Sequence, residues 1–332
     1  MEKLHRLSRR QGNSFALCRP SGPGETTEAS RRVHFDDARF MAPDSLNTGL
    51  IGSATRNQVA VLEASHIFSP ATLNSLRFGI SRAVARNNES IRALIPEAAD
   101  LSLGATPGQA AASVTVPGLT AFSGGLGGTG AYLYHYTSIQ IYDDLFHTHG
   151  LHSFKFGFAL ERMRDNIRAL GVPNGQFVFG SLPGFLTNQP TSFQLGSAES
   201  STPRGLRQTL VAGYIQDDWR ERPNLTVNLG MRYEMTTVPT EVDGKLSVLR
   251  NIRDAKPHLG DPYFDNQTLR NFEPRAGFSW DPFGDGRTAV RSGFGIYDVL
   301  PLPYEFQLLS SLAAPFYAIG TVSNPPPGSF PA

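Results

Sequence analysis

The sequence predicts an all-β chain: an antiparallel up-and-down transmembrane β-barrel segment of about eight strands, with short periplasmic turns and long external loops. Three observations predict it. Residues 225–234 alternate without a slip, placing Leu225, Val227, Leu229, Met231 and Tyr233 on one face and Thr226, Asn228, Gly230, Arg232 and Glu234 on the other. About ten residues is the length a tilted strand needs to cross a bilayer. The same pattern recurs along the chain. The connections between its repeats alternate between short and long, whereas connections in compact soluble domains usually run to about four to six residues.

Taken in order, residues 1–47 show no sustained period and are expected to form an irregular leader or the remnant of a preceding segment. Arg6, Arg9 and Arg10 lie there without the apolar core of a signal peptide. Residues 56–68 form a weakly patterned strand that turns at Ser69-Pro70-Ala71-Thr72 into 73–86. In the latter, Leu76, Phe78, Ile80 and Val84 share a face opposite Ser75, Arg77, Gly79, Ser81 and Ala83. After the long loop 87–132, the strand 133–146 leads through a short turn to His152, where Phe154, Phe156, Phe158 and Leu160 oppose Ser153, Lys155, Gly157, Ala159 and Glu161. The loop 167–206 follows, then the strand 207–219, the turn Arg220-Glu221-Arg222-Pro223 and the strand at Leu225. Beyond the loop 236–271, Ala276, Phe278 and Trp280 oppose Arg275, Gly277 and Ser279. A turn over 281–286 leads to Val290, Phe294 and Ile296, set against Arg291, Gly293, Gly295 and Tyr297. The division is therefore a leader, 1–47; a partial barrel, 48–298; and an external loop with a truncated end, 299–332.

Small inward residues (Gly79, Gly157, Gly230, Gly277, Gly293, Gly295) suit a lumen where neighbouring backbone approaches closely. Inward Arg77, Lys155, Glu161, Arg232, Glu234, Arg275 and Arg291 are expected to form a hydrated ladder of ion pairs, since Arg or Lys facing lipid at mid-membrane costs about 2–4 kcal/mol. Trp219, Tyr233, Trp280, Phe283 and Tyr297 lie near strand ends, where amphipathic rings suit the headgroup boundary.

Composition agrees. The 332 residues carry a net charge of +1, 40% hydrophobic residues, 33 glycines and 24 prolines. The near-neutral charge leaves no footprint for nucleic acid, and no run of about 18 apolar residues marks a transmembrane helix. The single cysteine, Cys18, excludes an internal disulfide framework and reads as a stray residue of the leader.

No catalytic, cofactor or metal site is expected. Gly125-Leu126-Gly127-Gly128-Thr129-Gly130 has dinucleotide-site spacing, but no strand precedes it and no helix follows, so a flexible loop tip is the better account. His147, His149 and His152 have a spacing open to a transition metal, with His152 better placed to anchor a strand start at the interface. Asp143-Asp144 and Asp217-Asp218 are adjacent strand residues whose side chains point to opposite faces, so neither pair converges on one substrate.

Gln216-Asp217-Asp218-Trp219, the turn ending in Pro223, and Asn224 through Glu234 resemble the Q-D-x-W…P-x-L-T-L-N-x-G-x-R-Y-E signature of TonB-dependent outer-membrane receptors. Three further blocks resemble the Oar-like branch of that family. They are Leu73-Asn74-Ser75-Leu76-Arg77-Phe78-Gly79 with Arg82, then Gly150 through Gly157, then Phe272-Glu273-Pro274-Arg275-Ala276-Gly277-Phe278 running through Asp281–Gly286 to Arg291–Asp298. The resemblance implies an outer-membrane location in a Gram-negative bacterium and lipid around the wall. It also implies a complete receptor with a plug domain, a barrel of about 22 strands and an inner-membrane TonB complex as energy source. This chain then corresponds to an internal piece of a barrel that binds and imports an unknown ligand, with contacts from loops such as 167–206, which holds Phe177, Phe179, Phe185 and Phe193. Two alternatives stay open: a small closed outer-membrane barrel acting in adhesion, and a soluble carbohydrate-binding β-sandwich.

Overall fold

A computed structural model describes residues 6–18, 27–169, 171–196, 203–265 and 269–331. Its main sheet comprises β1 (Arg6–Cys18), β2 (Thr27–Pro43), β3 (Gly49–Ser69), β4 (Thr72–Ala93) and β5 (Tyr132–His149). It continues with β6 (His152–Ala169), β7 (Arg204–Arg222), β8 (Leu225–Thr236), β9 (Phe272–Trp280) and β10 (Val290–Gly295). Each strand pairs antiparallel with the next in chain order, and among the described residues the sheet runs from β1 to β10 without closing. No helix among them is long and apolar enough to cross a membrane.

All eight strands read from alternation are present, seven of them extended toward the loop end; β3 and β4 reach 21 and 22 residues, whereas β10 stops at Gly295, short of Ile296 and Tyr297. The expectation for residues 1–47 is corrected: β1 and β2 lie there, paired residue for residue with each other and with β3. The signal was hidden because β2 is crowded with charge (Arg31, Arg32, Asp36, Asp37, Arg39), which blurs a period of two. Its backbone hydrogen bonds come from the neighbouring strands rather than from a pattern of its own. The alternation of short and long connections breaks here as well. Residues 44–48, between β2 and β3, make a tight turn at the loop end, where the Asp44 carboxylate accepts from the backbone N–H groups of Leu46, Thr48 and Gly49.

The periplasmic turns follow from their residues. Gly150 adopts φ 60 between β5 and β6, a conformation glycine enters at little cost. After β9, Asp281 accepts backbone N–H bonds from Phe283, Gly284 and Gly286 at 3.2, 2.9 and 2.7 Å, closing the turn on itself. Asn224 ties the adjacent turn to it, donating from Nδ2 to the Asp281 carbonyl at 2.8 Å.

The long loops are folded. Ser113–Thr115, Gln176–Val178, Ser192–Gly196 and Ile319–Ser323, drawn from three separate connections, make a second, four-stranded sheet. The stretch after residue 299 is therefore no free external loop: it supplies a strand to this sheet and a one-turn helix, Gln307–Ser311, packed against β6 and β7. Beneath it the inner face of the loop end is closed from solvent, with Met163, Ile167 and Leu206 buried while Arg162, Arg164 and Arg168 on the opposite face stay exposed.

Candidate functional site

The alternation of each strand sorts the wall into two chemistries. Outward, the cross-strand register aligns Leu62, Phe78, Ile141, Leu160 and Val211 in one row and Leu145, Phe156, Ile215 and Met231 in another. Large apolar side chains stand exposed along these rows, with Leu62 at 52%, Ile215 at 47% and Met231 at 40%. Exposed apolar surface on this scale has a reason only if something apolar covers it; a membrane does so for every strand at once.

Inward, the residues form polar clusters between neighbouring strands. The Asp144 carboxylate takes an ion pair from Arg77 of β4 and a 2.8 Å hydrogen bond from the Tyr214 hydroxyl of β7. Asp218 accepts from Lys155 at 2.8 Å, Gln216 at 2.9 Å and Asn228 at 2.6 Å, joining β6, β7 and β8. Glu161 accepts from Ser138 at 2.5 Å and from Gln140 at 3.3 Å. Arg232 pairs with Glu234 and Arg275 with Glu273. The expected ion pairs are present at Arg77, Lys155, Arg232, Glu234 and Arg275; Glu161 is met instead by hydroxyl and amide donors, and Arg291 stands exposed on the same face. Tyr297 lies not at a headgroup boundary but over this face, its ring 4.5 Å from the Arg275 guanidinium.

The inward glycines divide between close approach of backbone, as expected, and room for a neighbouring side chain. A Cβ at Gly157 would sit 2.0 Å from the Tyr214 ring, its register partner, so the ring lies flat across the glycine. At Gly79 the nearest group is the Gln140 side chain, at 3.6 Å. At these two positions a side chain from the next strand fills the space, whereas at Gly277 and Gly293 the neighbouring backbone approaches closely, with Ser292 O 3.1 Å from a Cβ placed at Gly277 and Ala276 O 3.5 Å from one at Gly293. Between β6 and β10 the inner face encloses an open groove of about 680 Å³ lined by Lys155, Tyr214, Asn228, Arg232, Arg275 and Tyr297. Its cations are held by neighbouring carboxylates, so the groove presents polar and aromatic surface with its charges paired.

The other singled-out residues serve the wall. Asp144 and Asp218 point inward; their neighbours point outward, where Asp143 accepts from Asn74 at 2.7 Å and Asp217 meets His152 Nδ1 at 2.7 Å. His152 also stacks on Trp219, ring centroids 5.6 Å apart, fixing the start of β6 to the end of β7. His147 and His149 stack on each other, and His147 Nδ1 lies 2.9 Å from the Thr72 hydroxyl. Among the described residues no three His, Cys, Asp or Glu side chains are grouped to hold a metal. The glycine-rich segment is a packed turn rather than a flexible tip: Gly125 donates to Ala111 O at 2.8 Å, Leu126 to Ala98 O at 2.6 Å and Gly127 to Ser90 Oγ at 3.1 Å. Nearby Asp100 is held below the usual carboxylate range by hydrogen bonds from Ser102, side chain first and backbone second.

Phe177, Phe179, Phe185 and Phe193 are not displayed for a ligand. Phe177 and Phe179 are buried with Ala112, Val114 and Val116, and Phe185, Phe193 and Phe330 pack around them. Sequence reasoning missed this core because its members come from separate loops, each too short to show a period.

The family profile described as outer membrane beta barrel domain matches residues 24–332. The chain belongs to this family, an antiparallel barrel wall located in the outer membrane. Among curated proteins, TonB-dependent transporter Oar of Myxococcus xanthus is 29% identical over 204 residues, 54% of this chain and 17% of the relative. Among solved structures, the outer membrane transporter YddB from Escherichia coli aligns with a TM-score of 0.53 at 10% identity, over 88% of this chain and 32% of that one. The latter likeness is one of fold alone. The chain thus spans less than a third of each of these relatives.

Proposed function

We propose that this chain is a section of the barrel of an Oar-like TonB-dependent receptor, which binds a ligand at the external face and imports it with energy relayed from the inner membrane. The observation that carries the reading is the inner face: a continuous polar wall from β4 to β10, to which all four blocks that resemble the family contribute, leading to a mouth covered by folded loops. The local identity with Oar supports the same branch. A plug domain and the TonB complex are partners of the complete receptor, and the chain itself carries out no catalysis. A small closed adhesin barrel would need β1 to pair with β10, and that pairing is absent among the described residues.

The test is co-purification of the native gene product, extracted from outer membranes, with the TonB energy-coupling protein of the same cells. Association with TonB, and ligand uptake that collapses with the inner-membrane proton gradient, are the expected results. A protein found in the outer membrane without TonB association, passing solutes regardless of the gradient, would sink the proposal.

A further inference from the structure

The outward face changes character along the strands. Below the loop end it is apolar; beyond Ile80 on β4 and Leu160 on β6 it becomes basic. Register places Arg82, Thr137, Arg164 and Arg207 in one row across four strands, with Arg86, Leu133 and Arg168 in the row four residues further out. Arg162 stands opposite Ile139, one step nearer the apolar band. These arginines share the face of Phe78 and Ile141, and all but the half-buried Arg207 are exposed.

Their partners are mostly neutral. Arg162 donates to the Thr209 hydroxyl at 2.8 Å, and Arg207 to Asn166 Oδ1 at 3.0 Å and to the Leu206 carbonyl at 2.8 Å. Arg82, Arg164 and Arg168 have no ion-pair partner among the described residues. Carboxylates appear only at the fringe: Asp37 beside Arg56, Glu89 4.0 Å from Arg86, and Asp243 lining the groove that Arg168 also lines. Asp165 lies between Arg164 and Asn166 in sequence but points to the opposite face and is 1% exposed. At the turn end the same outward face is different, its carboxylates Asp143 and Asp217 meeting Asn74 and His152.

We propose that this arginine belt binds the phosphate groups of anionic lipid headgroups in the external leaflet. Clustered like charges beside lipid are costly unless counter-anions neutralise them. The cost of an outward arginine falls from about 2–4 kcal/mol at mid-membrane to about 0–1 near the interface, so a belt just past the apolar band lies at headgroup level. Guanidinium forks bind phosphate in a bidentate, geometrically specific way, which lysine does not reproduce. The belt's position on the lipid face separates it from any ligand path through the lumen, so this inference does not depend on transport.

The experiment takes the native protein extracted from outer membranes and reconstitutes it in phosphatidylcholine vesicles, with or without phosphorylated lipid A. Bound lipid is then counted by native mass spectrometry after gentle extraction. Retention of lipid A over phosphatidylcholine is expected, weakening as salt rises. Combined substitution of Arg82→Gln, Arg164→Gln and Arg207→Gln should weaken it by about fivefold per arginine, on the order of a hundredfold in all. The corresponding lysine variant should recover only part of the affinity. Should the triple variant lose its heat-dependent gel mobility, the single variant Arg164→Gln, at an exposed and unpaired position, serves instead with about a fivefold loss. Equal retention of phosphatidylcholine and lipid A, retention unchanged in the glutamine variants, or displacement of lipid A by an equal concentration of inorganic phosphate would each overturn the proposal.

Discussion

Tyr214 and Gly157 show how single residues set the inner wall. The ring can cross β6 only because its register partner lacks a side chain, and the crossing carries the hydroxyl to Asp144. Valine at Gly157 would displace the ring and break that bond; hydrogen bonds to charged groups contribute about 1.5–3 kcal/mol. Gly157→Val should therefore destabilise the vesicle-inserted protein by at least about 2 kcal/mol in urea unfolding. In a Tyr214→Ala background most of that cost should vanish, because the two residues are coupled. Equal costs in both backgrounds would show that the ring does not depend on the glycine. The alternation at Lys155, Gly157 and Glu161 was legible in sequence, but the hand-over from Tyr214 was not: residues 57 apart in the chain become opposite only once β6 and β7 pair.

At the scale of elements, strands and loops differ in how they announce themselves. β4, β6 and β8 each face lipid on one side and polar groups on the other, so periodicity marks them without reference to their neighbours. β1 and β2 take their order from adjacent strands, and in β2 charge on both faces erased the pattern. The loop sheet is legible only in space, since Phe177 and Phe179 find Val114 and Phe330 from distant connections. Phe179→Ala should cost the loop assembly about 3–5 kcal/mol, the usual loss for a buried phenylalanine. The expected readout is faster proteolysis within 101–125 and 171–196 with heat-dependent gel mobility retained; unchanged proteolysis would mean that the loops do not rely on this core.

For the whole molecule, the medium decides the stability of each face. An arginine at Phe78, in the apolar row, should cost about 2–4 kcal/mol of folding into vesicles, and one at Phe68, beside the turn, about 0–1 kcal/mol. Equal costs at the two positions would argue that β4 does not cross a bilayer. The open order from β1 to β10 leaves backbone N–H and C=O groups at two edges, and in lipid such groups must be satisfied by further pairing. This fits the coverage of the relatives, of which the chain spans 17% and 32%.

The sequence by itself determined the wall: which residues face lipid, which face the lumen, where the periplasmic turns fall, and which family the blocks resemble. All of these are local properties, written at a period of two or in turns of a few residues. The tertiary structure alone decided that residues 6–18 and 27–43 are strands, that the loops build a common core, and that the segment beyond residue 299 closes the inner face of the mouth. It also gathered the arginines of β4, β6 and β7 into one belt. The physical reason is shared: each depends on cross-strand register or on contacts between distant connections, and no window of consecutive residues contains both partners.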